Sequence, residues 1–267
     1  MSNSQSFLSF PPRFLGSAPQ KFPLIANTEG YFAINKPSGM SSAMDKWATR
    51  TPDLSMALLR ELETEKPQLQ RLGIKIVSRV NPIDPEVSGV SLFAKNKEAE
   101  DFLRNTMGSQ KMTFVYDLLV EPDIKEKEVV CELPIARHDT EPRALISNQT
   151  GRKATTAFKH QISYGRYHLW EATTDVCRPH QIRLHAAESG LRVVGENIYA
   201  NSQSIFLSDL KRGYRRGKEE EQALYSSICI HLREVSFEDT EGKQVSVKAE
   251  LPKRFAVLLK KLEKYSR

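Results

Sequence analysis

Asn81-Pro82-Ile83-Asp84-Pro85-Glu86-Val87-Ser88-Gly89 lies between two β-rich runs, Ile74-Lys75-Ile76-Val77 before it and Val90-Ser91-Leu92-Phe93 after it. Branched and aromatic residues of that kind favour strands, so the segment reads as a loop joining two strands. Pro82 and Pro85 fix the backbone on either side of Asp84 because the pyrrolidine ring locks φ. A stiff loop rising from a sheet is a good platform for a carboxylate that has to be aimed. An aspartate in a turn also commonly bonds its own backbone, and the local sequence leaves both readings open.

Outward from this loop, Tyr31-Phe32-Ala33-Ile34 reads as a strand ended by the turn residues Lys36-Pro37-Ser38-Gly39. Leu54, Leu58 and Leu62 recur at helical spacing, predicting a helix over 53–64 that stops near Pro67. Asn96 is placed to cap a helix with Ala99, Phe102, Leu103 and Thr106 on one face and Gly108 as its stop. Strands are expected over Thr113 to Val120 and Tyr167 to Thr174, and Pro179 opens a helix reaching Ser189, with Gly190 just beyond. Ile228 to Leu232 is expected to pair with Val245-Ser246-Val247, and Phe255, Leu258, Leu259 and Leu262 give a last helix its core face. Strands outnumber helices without alternating regularly, which predicts an α+β fold on a largely antiparallel mixed sheet flanked by helices and loops. Residues 1–24, rich in Ser, Pro and Gly, read as a loosely ordered N-terminal arm, and 25–267 as one domain.

The 267 residues carry 39 Lys+Arg against 33 Asp+Glu, a formal charge of +6, with 39% hydrophobic and 27% charged residues. That balance belongs to a globular chain, and no apolar run approaches the roughly 20 residues a bilayer span needs. The N-terminus has no basic patch followed by an apolar stretch, so no secretory signal is expected. Cys131, Cys177 and Cys229 are odd in number and form no CxxC pair, which argues for reduced thiols in a cytoplasm rather than disulfides or zinc. The basic excess suits a polyanion partner. Lys211, Arg212, Arg215 and Arg216 would form one basic face if their segment were helical.

Arg178-Pro179-His180-Gln181-Ile182-Arg183-Leu184-His185 is the second segment that carries chemistry. At a helix N-terminus it joins free N–H groups to side-chain donors, a combination that favours anions. His180 and His185 are five residues apart, off a shared helical face, and no Glu follows His180; no metal site is expected.

Taken together, these segments resemble the RluA-like RNA pseudouridine synthases. Ile34-Asn35-Lys36-Pro37-Ser38-Gly39-Met40 is similar to that family's NKPxGL opening, and Asn81 to Gly89 aligns without a gap on its H-R-L-D-x-x-T-S-G motif. Tyr116, in Val115-Tyr116-Asp117-Leu118-Leu119-Val120, stands at the family's active-site tyrosine. Leu133 to Arg137, Ala154-Thr155-Thr156 and Ile230-His231-Leu232 resemble further landmarks. Arg178 to His185, followed by Gly190 and Gly195-Glu196-Asn197-Ile198-Tyr199, is similar to GRxHQIRxH…G…GDxxYG. The likeness spans roughly residues 30 to 262. The departures are Asn81 and Pro82 for His and Arg, Cys177 for Gly, Glu196 for Asp and Phe114 for Lys. The family's arginine at the Pro82 position is thought to fill the space a flipped base leaves; Arg79, three residues earlier, is a candidate substitute.

The resemblance implies the pseudouridine synthase fold and an isomerase of uridine in structured RNA, with Asp84, Tyr116 and Arg183 as catalytic residues. Uracil has to leave its stack to be reached, at a cost of a few kcal/mol. Asp84 then acts as nucleophile or proton carrier, Arg183 as its orienting counter-ion, and Tyr116 as a stacking face with a hydroxyl. Lys36, Arg79, Arg178, His180, Gln181, Lys211, Arg212, Arg215 and Arg216 are expected to hold RNA, ribosomal or transfer. No cofactor, metal or membrane is implied, and the chain is expected to act as a cytoplasmic monomer. Two rivals remain: a non-catalytic RNA-binding relative, because of Asn81 and Pro82, and a glycoside hydrolase using Asp84 and Glu86, which needs its second carboxylate at ~5–10 Å across the substrate.

Overall fold

The computed structural model describes residues 7–42, 51–211, 213–215 and 220–265. The chain divides into two compact units. One comprises Met1–Phe114, Asp175–Pro179 and Leu232–Glu250, the other Val115–Thr174, His180–His231 and Leu251–Arg267.

In the first unit, the strand Tyr31–Lys36 lies antiparallel between Gln20–Asn27 and Ser88–Ala94. Every residue of Ser88–Ala94 is buried, as a strand covered on both faces requires. The N-terminal residues correct the expectation of a loose arm: Phe7–Phe10 pairs antiparallel with Gln20–Asn27. Leu8 and Phe10 are 0% and 1% exposed and share a core with Phe22, Phe32 and Phe93. Four alternating residues among prolines and serines are too few to show a period, yet burial of one face holds the strand. Gln68 adds a clasp, accepting from the Ser9 amide at 3.1 Å and donating to the Ser9 carbonyl at 2.9 Å.

The expected strand over 74–77 shrinks to Ser78–Arg79, which pairs with Phe93 and Ala94. The amides of Lys75 and Ile76 both turn to one acceptor, the Lys95 carbonyl, each at 3.0 Å, so no ladder forms there. Helices Leu54–Glu63 and Lys97–Gly108 stand where expected, capped by the Asp53 and Asn96 side chains. The second runs through Gly108, and Gln110, at φ 58°, turns the chain instead. Pro67 opens the short helix Pro67–Arg71. Val245 to Val247 pairs with Val235 to Phe237 rather than with 228–232, because a tight turn at 239–242 sets the register.

In the second unit, the hairpin Thr156–Tyr164 and Tyr167–Thr174 is antiparallel, flanked by Glu128–Cys131 on one side and by Met112–Pro122 on the other. Helix Gln181–Glu188 is preceded by His180 in a left-handed conformation, φ 57°, so Pro179 precedes the helix rather than opening it. Helix Lys253–Tyr265 buries Phe255, Leu258 and Leu262, and Phe255 stacks on Tyr225 at 5.2 Å. Among the described residues the expected basic helix does not form around 211: helix Leu207–Leu210 ends first, Lys211 is extended, and Gly213 turns the chain at φ 69°. Lys211 and Arg215 are exposed, whereas Arg212 and Arg216 lie outside the described residues.

One glycine is forced by this packing. At Gly89, φ is 128° and an added Cβ would stand 2.2 Å from the Leu232 carbonyl oxygen. At Gly108 nothing lies within 4 Å of the same atom. Gly89→Ala is expected to lose at least about 3 kcal/mol in urea denaturation, while Gly108→Ala gains up to about 1 kcal/mol. Equal effects would show that the contact at Leu232 is not what selects glycine.

Candidate active site

In the first unit, the loop carrying Asp84 is fastened to its sheet by a side chain and by a buried cation. Asn81 is 0% exposed. Its amide donates to the Val90 carbonyl at 2.9 Å and accepts from the Leu92 amide at 2.8 Å. It therefore mimics a peptide group and continues the pairing of Ser78–Arg79 one step further. Ile83 and Pro85 are buried, and Asp84 between them is half exposed. The Val87 amide closes a turn on the Asp84 carbonyl at 3.1 Å.

Lys36 is 0% exposed, and its ammonium donates to carbonyl oxygens alone among its resolved partners: Met40 at 2.7 Å, Pro37 at 3.0 Å, Pro85 at 3.3 Å and Asp84 at 3.5 Å. The Gly39 amide also meets the Pro85 carbonyl, at 2.8 Å. Two loops far apart in sequence are thus tied through one cation. Burial pulls the Lys36 pKa down to about 7, with the Asp84 and Glu86 carboxylates opposing the shift. This corrects the expectation that Lys36 contacts RNA, since its head group is spent inside. Arg79 and Arg178 are half exposed in the same unit.

In the second unit, Tyr116 is 5% exposed on the strand Met112–Pro122. Arg183, 2% exposed, meets the fully buried Glu196 edge-on, with Nε to Oε2 at 2.6 Å and Nη2 to Oε1 at 3.2 Å. Such forked pairing fixes the plane of a guanidinium. Nη1 lies 3.4 Å from His180 Nε2, and His180 Nδ1 lies 2.7 Å from the Tyr199 hydroxyl. That hydroxyl also accepts from the Ala144 amide at 2.7 Å. When Nδ1–H of His180 donates to Tyr199, Nε2 is left as an acceptor facing Arg183.

Gln181 donates to the Thr174 and Thr156 hydroxyls at 2.9 and 3.1 Å. His180 and Gln181 are 6% and 3% exposed, so they latch a helix to its hairpin rather than offering donors to phosphate, again correcting the expectation. His185 is used on both sides: Nε2 donates to the Leu133 carbonyl and Nδ1 accepts from the Thr156 hydroxyl, each at 2.9 Å. Burial lowers its pKa, against the raising effect of the Leu133 bond, and the neutral ring is the form these bonds require. Sequence reasoning gave no role to Glu196, Tyr199 or Asn81 beyond their motif places. Their partners lie 13, 55 and 9–11 residues away, and no local pattern announces them.

Residues 30–188 match the family of RNA pseudouridylate synthases, and the chain belongs to that family. It is 27% identical over 194 residues to the dual-specificity RNA pseudouridine synthase RluA of Vibrio vulnificus, covering 70% of this chain and 72% of that one. To ribosomal large subunit pseudouridine synthase D of Xylella fastidiosa it is 25% identical over 227 residues, 82% of this chain but 65% of that one. Among solved structures, human RNA pseudouridylate synthase domain containing 4 superposes with a TM-score of 0.68 at 17% identity, covering 90% of this chain and 92% of that one. At that identity the likeness is one of fold, and it agrees with the α+β architecture expected. No helix among the described residues is long and apolar enough to cross a membrane.

Lys36 makes the Asp84 loop sensitive to pH in a calculable direction. Below about 7 it is charged in both the folded and unfolded states, and above 10.5 it is neutral in both. Between those limits the folded chain has released a proton that the unfolded chain keeps, so stability rises with pH, by at most about 1.4 kcal/mol per unit. Urea denaturation of the wild type and Lys36→Met at pH 6 and pH 9 should show the wild type gaining relative to the variant. A constant difference between them would contradict the assignment.

Proposed function

We propose that this chain isomerises uridine to pseudouridine in RNA, with Asp84, Tyr116 and Arg183 acting on one extruded nucleotide. The N1–C1′ bond breaks, the C5–C1′ bond forms, C5 gives up its proton and N1 gains one. Nothing is oxidised and no group is transferred, so the stoichiometry calls for no cofactor. Asp84 supplies the carboxylate at the sugar or base, Tyr116 a stacking face, and Arg183 a guanidinium that orients the acid. The observation that carries this reading is Asp84 itself, half exposed between buried Ile83 and Pro85 within the family-matched span.

The departures at Asn81 and Pro82 motivate the non-catalytic alternative. Against it, Asn81 uses its amide to hold the Asp84 loop onto Val90 and Leu92, so replacing the family's histidine leaves the loop anchored. Arg79, Arg178, Lys211 and Arg215, with Arg212 and Arg216 outside the described residues, supply the cations for the RNA backbone. The target is ribosomal or transfer RNA, in keeping with the names of the relatives. Work as a monomer in the cytoplasm completes the reading; for the compartment, its support is that the three cysteines form no disulfide.

Pseudouridine maps of RNA from cells carrying the wild type or Asp84→Asn test the reading. At least one site is expected to vanish in the variant, with turnover reduced by more than about a thousandfold. Identical maps would establish the binding-protein alternative.

A further inference from the structure

Positive charge also gathers in the first unit at the far end of the buried strand Ser88–Ala94. An open cavity of about 630 Å³ lies there, and its walls hold three cations, Arg71, Lys75 and Lys95, against one carboxylate, Glu29. From Gly89 to Lys95 the extended chain covers about 20 Å, so the cavity stands well away from the Asp84 loop. Lys95 is 3% exposed. Its ammonium donates to the Thr28 carbonyl at 2.6 Å and to Asn27 Oδ1 at 3.1 Å. An ammonium has three donors, and among the described residues the third meets no acceptor. Asn27, Thr28 and Gly73 surround that ammonium and all line the cavity. At Gly73 an added Cβ would stand 3.8 Å from Lys95 Nζ, so the lack of a side chain there keeps the approach open. A buried cationic donor without a partner is costly, and an anion in the cavity removes that cost.

The backbone holds the other two cations beside it. The Lys75 and Ile76 amides bond the Lys95 carbonyl, and the Ile74 amide returns to the Leu69 carbonyl at 3.0 Å, closing the turn after the helix that Arg71 ends. Arg71 and Lys75 are exposed, and neither has an acidic partner among the described residues. No aromatic ring stands among the described lining residues, so a base has nothing there to stack on. Cations set on a helix end, a turn and a strand end suit phosphate oxygens instead. We propose that this cavity is an anchor for the RNA backbone, in which Lys95, Arg71 and Lys75 hold a phosphate of the substrate remote from the uridine that reaches Asp84. This rests on the reading of RNA as the substrate. A phosphate contact carries no base identity, so the anchor adds affinity and register without choosing sequence.

The test measures the binding of total RNA from cells lacking the gene, over a range of salt concentrations. It compares the wild type, Arg71→Gln/Lys75→Gln and a control pair on the last helix, Lys260→Gln/Lys264→Gln. Both pairs remove the same formal charge from exposed positions. The cavity pair is expected to weaken binding about tenfold and to reduce the slope of log affinity against log salt by about 1, with the control pair within about twofold of the wild type. In tritium release from RNA labelled with 5-tritiated uridine, the same loss should fall on KM with kcat unchanged, because a contact kept from ground state to transition state is uniform binding. An unchanged cavity pair, or a control pair that loses as much, overturns the proposal.

Acetylation of lysines in the wild-type protein, read by mass spectrometry, gives a second measurement that needs no variant. RNA is expected to slow the labelling of Lys75 and to leave that of Lys260 unchanged. Unprotected Lys75 overturns the proposal. Equal protection by inorganic phosphate at the same phosphate concentration assigns the cavity to a free anion and overturns it too. A wild type that binds RNA yet releases no tritium ends the isomerase reading alone, and the binding and labelling results then decide the anchor by themselves. A wild type that binds no RNA ends both.

Discussion

A buried ammonium surrounded by carbonyl oxygens is the constraint on which the Asp84 loop depends. Lys36 reaches out of the end of its strand into the turn that follows and into the separate turn at Asp84 and Pro85. Of the four carbonyls there, two belong to Pro37 and Pro85 and that of Asp84 precedes a proline, where the backbone has fewer N–H groups to pair with. Without a donor at the centre, the Met40 and Pro37 carbonyls would lose the ammonium that meets them, and a buried acceptor left unsatisfied costs about 1–3 kcal/mol. The lysine resolves that deficit, and the Asp84 side chain remains half exposed while its backbone is locked.

Asn81 complements this from the other end of the loop. The ladder between Ser78–Arg79 and Ser88–Ala94 ends after two residues, and a side-chain amide takes over where backbone pairing stops. The second unit follows the same logic with charge in place of peptide groups. Glu196 receives two backbone amides and one guanidinium edge, while Gln181 and His185 spend their polar atoms on threonine hydroxyls and a carbonyl. Of the three residues in Arg178 to His185 expected to hold RNA, His180 and Gln181 are buried and Arg178 is half exposed.

How far the sequence could be read varied with the range of the interaction. Helix Lys97–Gly108 was legible because Asn96 caps its own third amide, at 2.9 Å from Ala99, and the helix's apolar face repeats within a few residues. The strand Ser88–Ala94 was legible from Val90, Leu92 and Phe93, β-favouring residues that follow a proline-containing turn. The N-terminal hairpin was not, since Leu8 and Phe10 draw their stability from Phe32 and Phe93, which the local sequence cannot reveal. The basic cluster near 211 failed for the opposite reason: helical spacing was present, but Lys211 is extended past a four-residue helix and Gly213 turns the chain.

Sequence alone therefore determined the local elements, the acid-bearing loop and, through several ordered motifs, the family. These are properties of residue order and short-range sterics. Tertiary structure decided which polar side chains face inward, because burial and the demand that every buried donor or acceptor find a partner are settled only when distant segments meet. That is why Lys36 passed from surface cation to internal tie, and Glu196 from a motif letter to the partner of Arg183.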